Sequence, residues 1–414
     1  MVRPPVIGPP VIGPLVIGVD EGGVTALPAG LRARLAGMDI IIAAPRFHDD
    51  LPGGPDILDW PTPFSHIFDV LKDNAEKSLA LLTTGDPMWF GAGASLVREL
   101  GPEGVEVIPA VSGMQLAAAR LGWPLARCEV VSVHGRPADS LISRLYPRAR
   151  LLVIAQDGTS PARLAELLTT HGYGDATLHV LAHLGGASES RLDGRAESWT
   201  HDRVPDFHII GIGCPDAVAA GSGLAAPDAS FETDGKLTKR DARASALAKL
   251  APFPGAVLWD IGTGSGAIAI DFLRNARYGR AFAIDRSEAQ LTRAAGNALR
   301  HGVTGLETVA GDAADVVAGD IGVGLPRPDA VFIGGGLAPA VVAAAQAALR
   351  PGGVLVAHAV TIESETVLVS AWQQSGGDLA RISVQHADPV GGFHGWRPLM
   401  PITQWCWHKQ VNAA

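Results

Sequence analysis

Short apolar runs of four to six residues recur along the chain, most closed by Gly, Pro or Asp and followed by a longer Ala/Leu-rich stretch. Runs without polar alternation suit strands buried on both faces, and the longer stretches suit the helices that cross between parallel strands. Leu15–Val19, Asp39–Ala43, Leu79–Thr83, Val105–Pro109, Leu151–Ala155, Thr177–Leu181 and His208–Ile212 form a first series. Ala256–Asp260, Arg280–Asp285, Leu306–Ala310, Ala330–Ile333 and Val354–His358 form a second. The alternation predicts an α/β protein, with the second series as one doubly wound domain. Between the two, residues 217–230 turn to Ala, Gly, Ser and Pro and lose the periodicity of a core helix. A linker is therefore expected at 216–231, with domains at 14–215 and 232–414. Residues 1–13 repeat Val-Ile-Gly between prolines that would interrupt a signal-peptide core, and they read as a dispensable extension.

The length of 414 residues agrees with two domains, because single cores stop growing at about 250–300 residues. Hydrophobic residues at 47% against 18% charged exclude a disordered chain. No apolar run of about 18 residues escapes Gly, Pro or charge, so no membrane span is expected. A net charge of −9 argues against a nucleic-acid coat, and any polyanionic substrate would need a local basic pocket. Cys128, Cys214 and Cys406 stand too far apart in sequence to suggest a zinc knuckle or a disulfide framework. A reducing compartment, the cytoplasm, and no metal are the matching expectations.

Candidate chemistry in the second half begins at Val257-Leu258-Trp259-Asp260-Ile261-Gly262-Thr263-Gly264-Ser265-Gly266, an apolar strand, an acid and a glycine-rich turn leading into a helix. Glycines there let backbone N–H groups approach a ligand at the carboxyl end of a strand. A second strand ends at Asp285, 25 residues after Asp260 and close to the spacing of about 20 that sets an acid on an adenosine ribose. A third leads to Gly311-Asp312-Ala313, suited to walling an adenine. An acid directly before the turn suits a cationic amino group, which favours S-adenosylmethionine over a nicotinamide, with Asp260 receiving the amino group. Upstream, Thr238-Lys239-Arg240-Asp241 reads as a capping box opening a helix through Leu250.

The first half carries four landmarks: Leu82-Thr83-Thr84-Gly85-Asp86-Pro87, Glu106 to Gly113 with Ser112, Ser132-Val133-His134-Gly135-Arg136, and Asp157-Gly158-Thr159-Ser160-Pro161. Trp89 and Phe90 read as core rather than as a platform for a flat ligand. His134 and Arg136 are candidates for meeting carboxylates, since Arg offers a planar fork.

In this order the four landmarks resemble the tetrapyrrole methylase family over residues 15–214. The resemblance implies two α/β lobes holding S-adenosylmethionine in the cleft between them, with Gly85, Asp86, Pro87 and Ser112 at the cofactor. Two stretches depart from the family pattern. Gly18-Val19-Asp20-Glu21-Gly22-Gly23 replaces Gly-x-Gly-Pro-Gly, and His183-Leu184-Gly185-Gly186 lacks the acid and Asn usual before Leu-Gly. Over residues 232–405, Thr238-Lys239, the glycine loop, Asp285, Gly-Asp-Ala313 and Ile-Gly-Gly-Gly336 resemble the decarboxylating precorrin methyltransferases of cobalamin biosynthesis. That resemblance implies a Rossmann-like class I methyltransferase fold, with Thr238, Gly262, Thr263, Gly264, Ser265, Gly266, Asp285 and Ala313 at the methyl donor.

Together the resemblances imply one S-adenosylmethionine per domain and a reduced tetrapyrrole as the shared acceptor, in a homo-oligomer without nucleic-acid or membrane partners. The first domain would methylate carbon 5. The second would methylate carbon 15 and remove carbon dioxide from the ring C acetate. Methyl transfer is an in-line displacement that asks for alignment and charge placement, so no base is expected. Lys239 and Arg243, together with the segment Phe393-His394-Gly395-Trp396-Arg397, are the candidates for gripping substrate carboxylates, and the first two take the catalytic assignment. A nicotinamide dehydrogenase, a nucleic-acid methyltransferase, and a chain whose first domain only binds the tetrapyrrole remain as alternatives.

Overall fold

A computed structural model describes residues 13–216, 223–318 and 324–411. By its contacts the chain divides into two compact units, Met1–Ala138 with Tyr146–Ala219 and Asp139–Leu145 with Ala220–Ala414. The proposed extension at 1–13, apart from Gly13, and residues 217–222 of the proposed linker lie outside the described residues.

The first unit contains two sheets. Strands β1 (Leu15–Val19), β2 (Ile40–Ile42), β3 (Asp56–Leu58), β4 (Leu79–Thr84) and β5 (Glu106–Ile108) lie in the order β3-β2-β4-β1-β5, all parallel. β1 and β2 are buried throughout, which is why their sequences are unbroken aliphatic runs. The second sheet runs β6 (Glu129–Ser132), β7 (Arg150–Ile154), β10 (His208–Gly213), β8 (Thr177–Ala182), β9 (Ser190–Arg195). Only its β6–β7 pair is parallel. Ser112 starts the helix Gly113–Leu121 with a full capping box, its side chain and that of Gln115 each taking the other's backbone N–H.

The second unit is built on one seven-stranded sheet. Strands β11 (Val257–Ile261), β12 (Arg280–Asp285), β13 (Leu306–Ala310), β14 (Ala330–Ile333) and β15 (Val354–Ala359) form its parallel part in the order β13-β12-β11-β14-β15. Strand order reverses between β11 and β14, so the carboxyl end of β11 faces the crevice where open α/β sheets bind ligands. Beyond β15 the sheet continues antiparallel through β19 (Ile402–His408) to β16 (Asp378–Ile382). Strands β17 (Gln385–Val390) and β18 (Phe393–Pro398) make a separate, largely exposed hairpin.

Part of the expected linker is core. Ala225, Ala226 and Phe231 are buried among the helices and strands of the second unit. Their Ala-rich context lacks helical period because the segment packs as irregular chain, with Ala226 N–H donating to both Asp271 carboxylate oxygens at 3.1 Å. The expected capping box at Thr238 is also absent. The helix runs Arg240–Leu250 with Lys239 at its N-cap and no side-chain cap, while Thr238 lends its carbonyl oxygen to Arg243.

Candidate functional site

In the first unit, strand ends and turns enclose a cavity of about 430 Å³. Its wall includes Gly85, Asp86 and Ser112 of the expected set, with His134 from the third landmark. Gly85 holds φ +69° and donates its N–H to Val19 O at 2.7 Å, while any Cβ on Gly18 would meet Gly85 O at 2.5 Å. These two glycines let the ends of β1 and β4 close on each other. Asp86 turns one oxygen to the Met88 N–H at 2.8 Å.

Pro87 is not in the wall. It is buried, and a Cβ on Gly91 or Gly93 would come within 2.9 Å of its carbonyl oxygen, so it seats the helix Ala92–Leu100. Trp89 and Phe90, read as core, are exposed at 37% and 40% and line the cavity instead. Phe90 has φ +56°, and the Arg136 guanidinium lies 5.7 Å from its ring centroid, a spacing that supports a cation–π contact.

Polar groups that sequence reasoning missed also face this space. His208 is 7% exposed, and its Nδ1–H donates to Pro205 O at 2.7 Å, which leaves the buried Nε2 lone pair without a partner. Burial also pushes its pKa down, so the neutral ring offers that lone pair at pH 7. A buried acceptor in a cavity of this size fits a ligand that brings an N–H donor, as an adenine does. No motif marked it, because His208 opens an ordinary apolar strand.

In the second unit the glycine loop follows β11 and leads into the helix Ala267–Asn275. Gly262, Gly264 and Gly266 have φ of +70°, +55° and +78°, a backbone path that side chains resist. A Cβ on Gly262 would sit 2.5 Å from Gly335, so the turn after β14 packs directly on the loop. A Cβ on Gly264 would meet nothing within 4 Å, so this part of the loop is left open for a ligand. Asp285 accepts the Gly264 N–H at 3.1 Å and the Ser287 N–H at 3.0 Å, joining the end of β12 to the loop. Its carbonyl accepts the Gly311 N–H at 3.1 Å, and Asp312 accepts the Ala314 N–H at 3.0 Å. Ala313 approaches Gly336, where an added Cβ would lie 3.0 Å from its own. The structure thus gathers Gly262 to Gly266, Asp285, Asp312 and Ala313 around one sheet end. Asn297, absent from the expected set, is wholly buried and gives its amide to the Ser265 and Glu232 carbonyls, each at 2.9 Å.

Two expectations for this half need correction. Asp260 does not face a ligand. It is 1% exposed, and one oxygen accepts from Thr263 Oγ1 at 2.7 Å and Ala269 N–H at 3.2 Å, bracing the loop from beneath. Arg243 cannot grip a substrate carboxylate, because it is fully buried and its guanidinium is spent inside the fold. It bonds Asp271 at 2.6 Å, Asp228 at 3.0 Å, Thr238 O at 2.6 Å and Ala226 O. Lys239 is exposed at the helix start, and Arg397 pairs with Asp388 within the outer hairpin at 3.0 Å.

Burial pushes the Asp260 carboxyl up to about 6, helped by the nearby Asp285 charge and opposed by the Thr263 and Ala269 hydrogen bonds. Burial, with the Lys249 charge adding to it, drives His358 on β15 down to about 4. The two act oppositely. As pH falls from about 6 to 4, folded Asp260 takes up its proton before the unfolded chain does, and stability rises. As pH falls from about 6.5 to 4, the unfolded chain protonates His358 first, and stability is lost. Asp260→Asn should therefore make the second unit more acid-sensitive than wild type, by up to about 3 kcal/mol across this window. Denaturation midpoints at the two ends of the window check this, and parallel losses in both proteins would refute it.

Among the described residues no helix is long and apolar enough to cross a membrane, and no group of three His, Cys, Asp or Glu side chains is arranged to hold a metal.

Comparison with known proteins matches both halves. The family described as precorrin methyltransferase domain covers residues 229–409, and that of the tetrapyrrole (corrin/porphyrin) methylases covers residues 63–199. The precorrin-6Y C(5,15)-methyltransferase [decarboxylating] of Sinorhizobium sp is 41% identical over 358 residues, 84% of each chain. The protein of that name from Mycobacterium tuberculosis is 37% identical over 381 residues, 91% of each chain. A solved structure, the C-terminal domain of precorrin-6Y C5,15-methyltransferase from Rhodobacter capsulatus, is 38% identical and covers 44% of this chain and 96% of its own, at a TM-score of 0.41. With 41% and 37% identity to the Sinorhizobium and Mycobacterium relatives running through a tetrapyrrole methylase half and a glycine-loop half alike, the chain belongs to the precorrin-6Y C(5,15)-methyltransferase (decarboxylating) family.

Proposed function

We propose that this chain is an S-adenosylmethionine-dependent enzyme that methylates precorrin-6Y at carbons 5 and 15 and decarboxylates the ring C acetate, giving precorrin-8X in cobalamin biosynthesis. The observation that carries this reading is the 41% identity to a relative of that name across both halves. Each unit takes one donor, the first in the cavity walled by Gly85, Asp86 and Ser112 and the second at the Gly262 to Gly266 loop. When bound, S-adenosylmethionine supplies an electrophilic methyl group on a sulfonium.

The chain's own residues do the positioning. In the second unit Asp285 would hold the ribose hydroxyls, the open backbone at Gly264 would let the donor approach closely, and Asp312 with Ala313 would border the adenine. In the first unit His208 Nε2 would be available to accept an N–H of the donor's adenine. Decarboxylation leaves its electron pair in the conjugated ring, and a proton taken up from solvent after carbon dioxide departs turns the remaining arm carbon into a methyl group; until then the site keeps the carboxylate away from water and from strong neutralising charge. Lys239 is kept for another substrate carboxylate. The reading includes a homo-oligomer in the cytoplasm, without a resident metal.

Supplying reduced precorrin-6 with S-adenosylmethionine and following mass tests the proposal. Two methyl additions and one loss of carbon dioxide are expected, and a product lacking either change would overturn it.

A further inference from the structure

The first unit's cavity contains a side-chain pair that donor binding does not use. Glu21 follows β1 and His183 follows β8, and Glu21 Oε1 lies 2.9 Å from His183 Nδ1. A carboxylate only accepts, so Nδ1 carries the hydrogen and Nε2 presents a lone pair. Both residues line the cavity, and among the described residues Nε2 has no protein partner.

Three features force the pair together. His183 sits at φ +52°, a strained conformation for a residue with a side chain. Its backbone is pinned there, donating to Phe207 O at 3.1 Å and accepting from Gly186 N–H at 2.9 Å. Gly186 leaves room for the carboxylate arm, since a Cβ there would be 2.3 Å from Glu21 Cγ. The second carboxylate oxygen, Oε2, is buried without a partner. Burying an unsatisfied oxygen and straining a histidine both cost stability, which a purely structural contact would not require. Charged and titratable neighbours are Asp20, Asp86, His134, Asp206 and His208 on the cavity wall, with Arg46, which feels the Glu21 charge.

We propose that His183 removes the proton from the bridge carbon that the first unit methylates, with Glu21 as its positioning residue. This rests on the methylation assigned above to the first unit. A bridge carbon that gains a methyl group while keeping its hydrogen leaves the ring cationic and its conjugation broken. The balance closes when that C–H bond breaks, its electron pair returns to the ring as a double bond, and the proton passes to His183 Nε2. The imidazolium then faces the Glu21 carboxylate. Alignment alone, the expectation from sequence, leaves this proton unassigned.

The test uses the full chain with precorrin substrate and S-adenosylmethionine, following the first-unit methylation by mass as a function of pH. His183→Asn should bind the donor as wild type does by calorimetry, yet methylate about 100-fold more slowly or worse. It should also lose the acid limb of the rate profile, since a protonated imidazole cannot accept. Added imidazole should restore part of the rate in His183→Ala. Glu21→Gln should slow the step less, lowering kcat while leaving KM near its wild-type value, as loss of a positioning residue does. Wild-type rate with an intact acid limb in His183→Asn would overturn the inference, as would loss of donor binding in that variant. Absence of first-unit methylation in wild type itself would instead overturn the proposed function.

Discussion

Arg243→Ala should unfold the second unit rather than weaken its hold on substrate. The side chain is inaccessible to solvent and serves four acceptors: two carboxylates and two backbone carbonyls. Its principal partner, Asp271, is equally buried and is also bonded by Arg274 at 2.7 Å. Removing one member of a buried ion pair costs about 3–5 kcal/mol when the other charge is left unpaired, and Arg274 holds only one of the two Asp271 oxygens, so the other loses its guanidinium partner. Two carbonyls and the room left by the guanidinium add to that, against a total stability of about 5–15 kcal/mol for a domain. Arg243→Lys should rescue little, because an ammonium cannot reproduce the planar fork across acceptors on several sides. Chemical denaturation of the full chain checks this. A variant with wild-type stability and only a raised KM would return Arg243 to the substrate site.

Asp285→Ala should lower the number of S-adenosylmethionine molecules bound per chain from two to one. The carboxylate ends β12 where it anchors Gly264 and Ser287, so its loss frees the loop as well as removing the acceptor proposed for a ribose hydroxyl. Losing two or three charge-assisted hydrogen bonds weakens binding at that site by about 100-fold or more. The side chain is only partly buried at the strand's end, so the fold should survive. Calorimetry counts the remaining site. The product should carry one added methyl group and keep the ring C acetate intact. If both methylations vanish in a folded variant, the two sites are not independent.

How much was legible depended on how each element is buried. The central parallel strands declared themselves because burial on both faces leaves mainly apolar residues, and β1, β12 and β14 begin and end where the pattern places them. β13 also keeps the expected bounds, although it is an edge strand that carries Glu307 and Thr308 and is largely exposed. β9 (Ser-Arg-Leu-Asp-Gly-Arg) and β17 (Gln-His-Ala-Asp-Pro-Val) went unread, since an edge or an exposed hairpin needs no apolar face. The glycine loop and Asp285 were readable because backbone geometry dictates both residue type and spacing. Arg243 misled because sequence does not distinguish a guanidinium reaching outward from one folded inward onto a distant acid. The Glu21–His183 pair was invisible for a related reason. Each appeared as an isolated departure from a motif, and only the fold brings the two departures within bonding distance.

The contact between Gly262 and Gly335 sets a rule for redesign. A methyl group on Gly262 would come within 2.5 Å of the Gly335 backbone, at a φ of +70° that side chains resist, whereas one on Gly335 would make ordinary contact at 3.5 Å, so the constraint falls on one side of the contact only. Attempts to broaden the range of macrocycles the enzyme accepts should leave Gly262 untouched and vary the rim residues, whose side chains end in solvent.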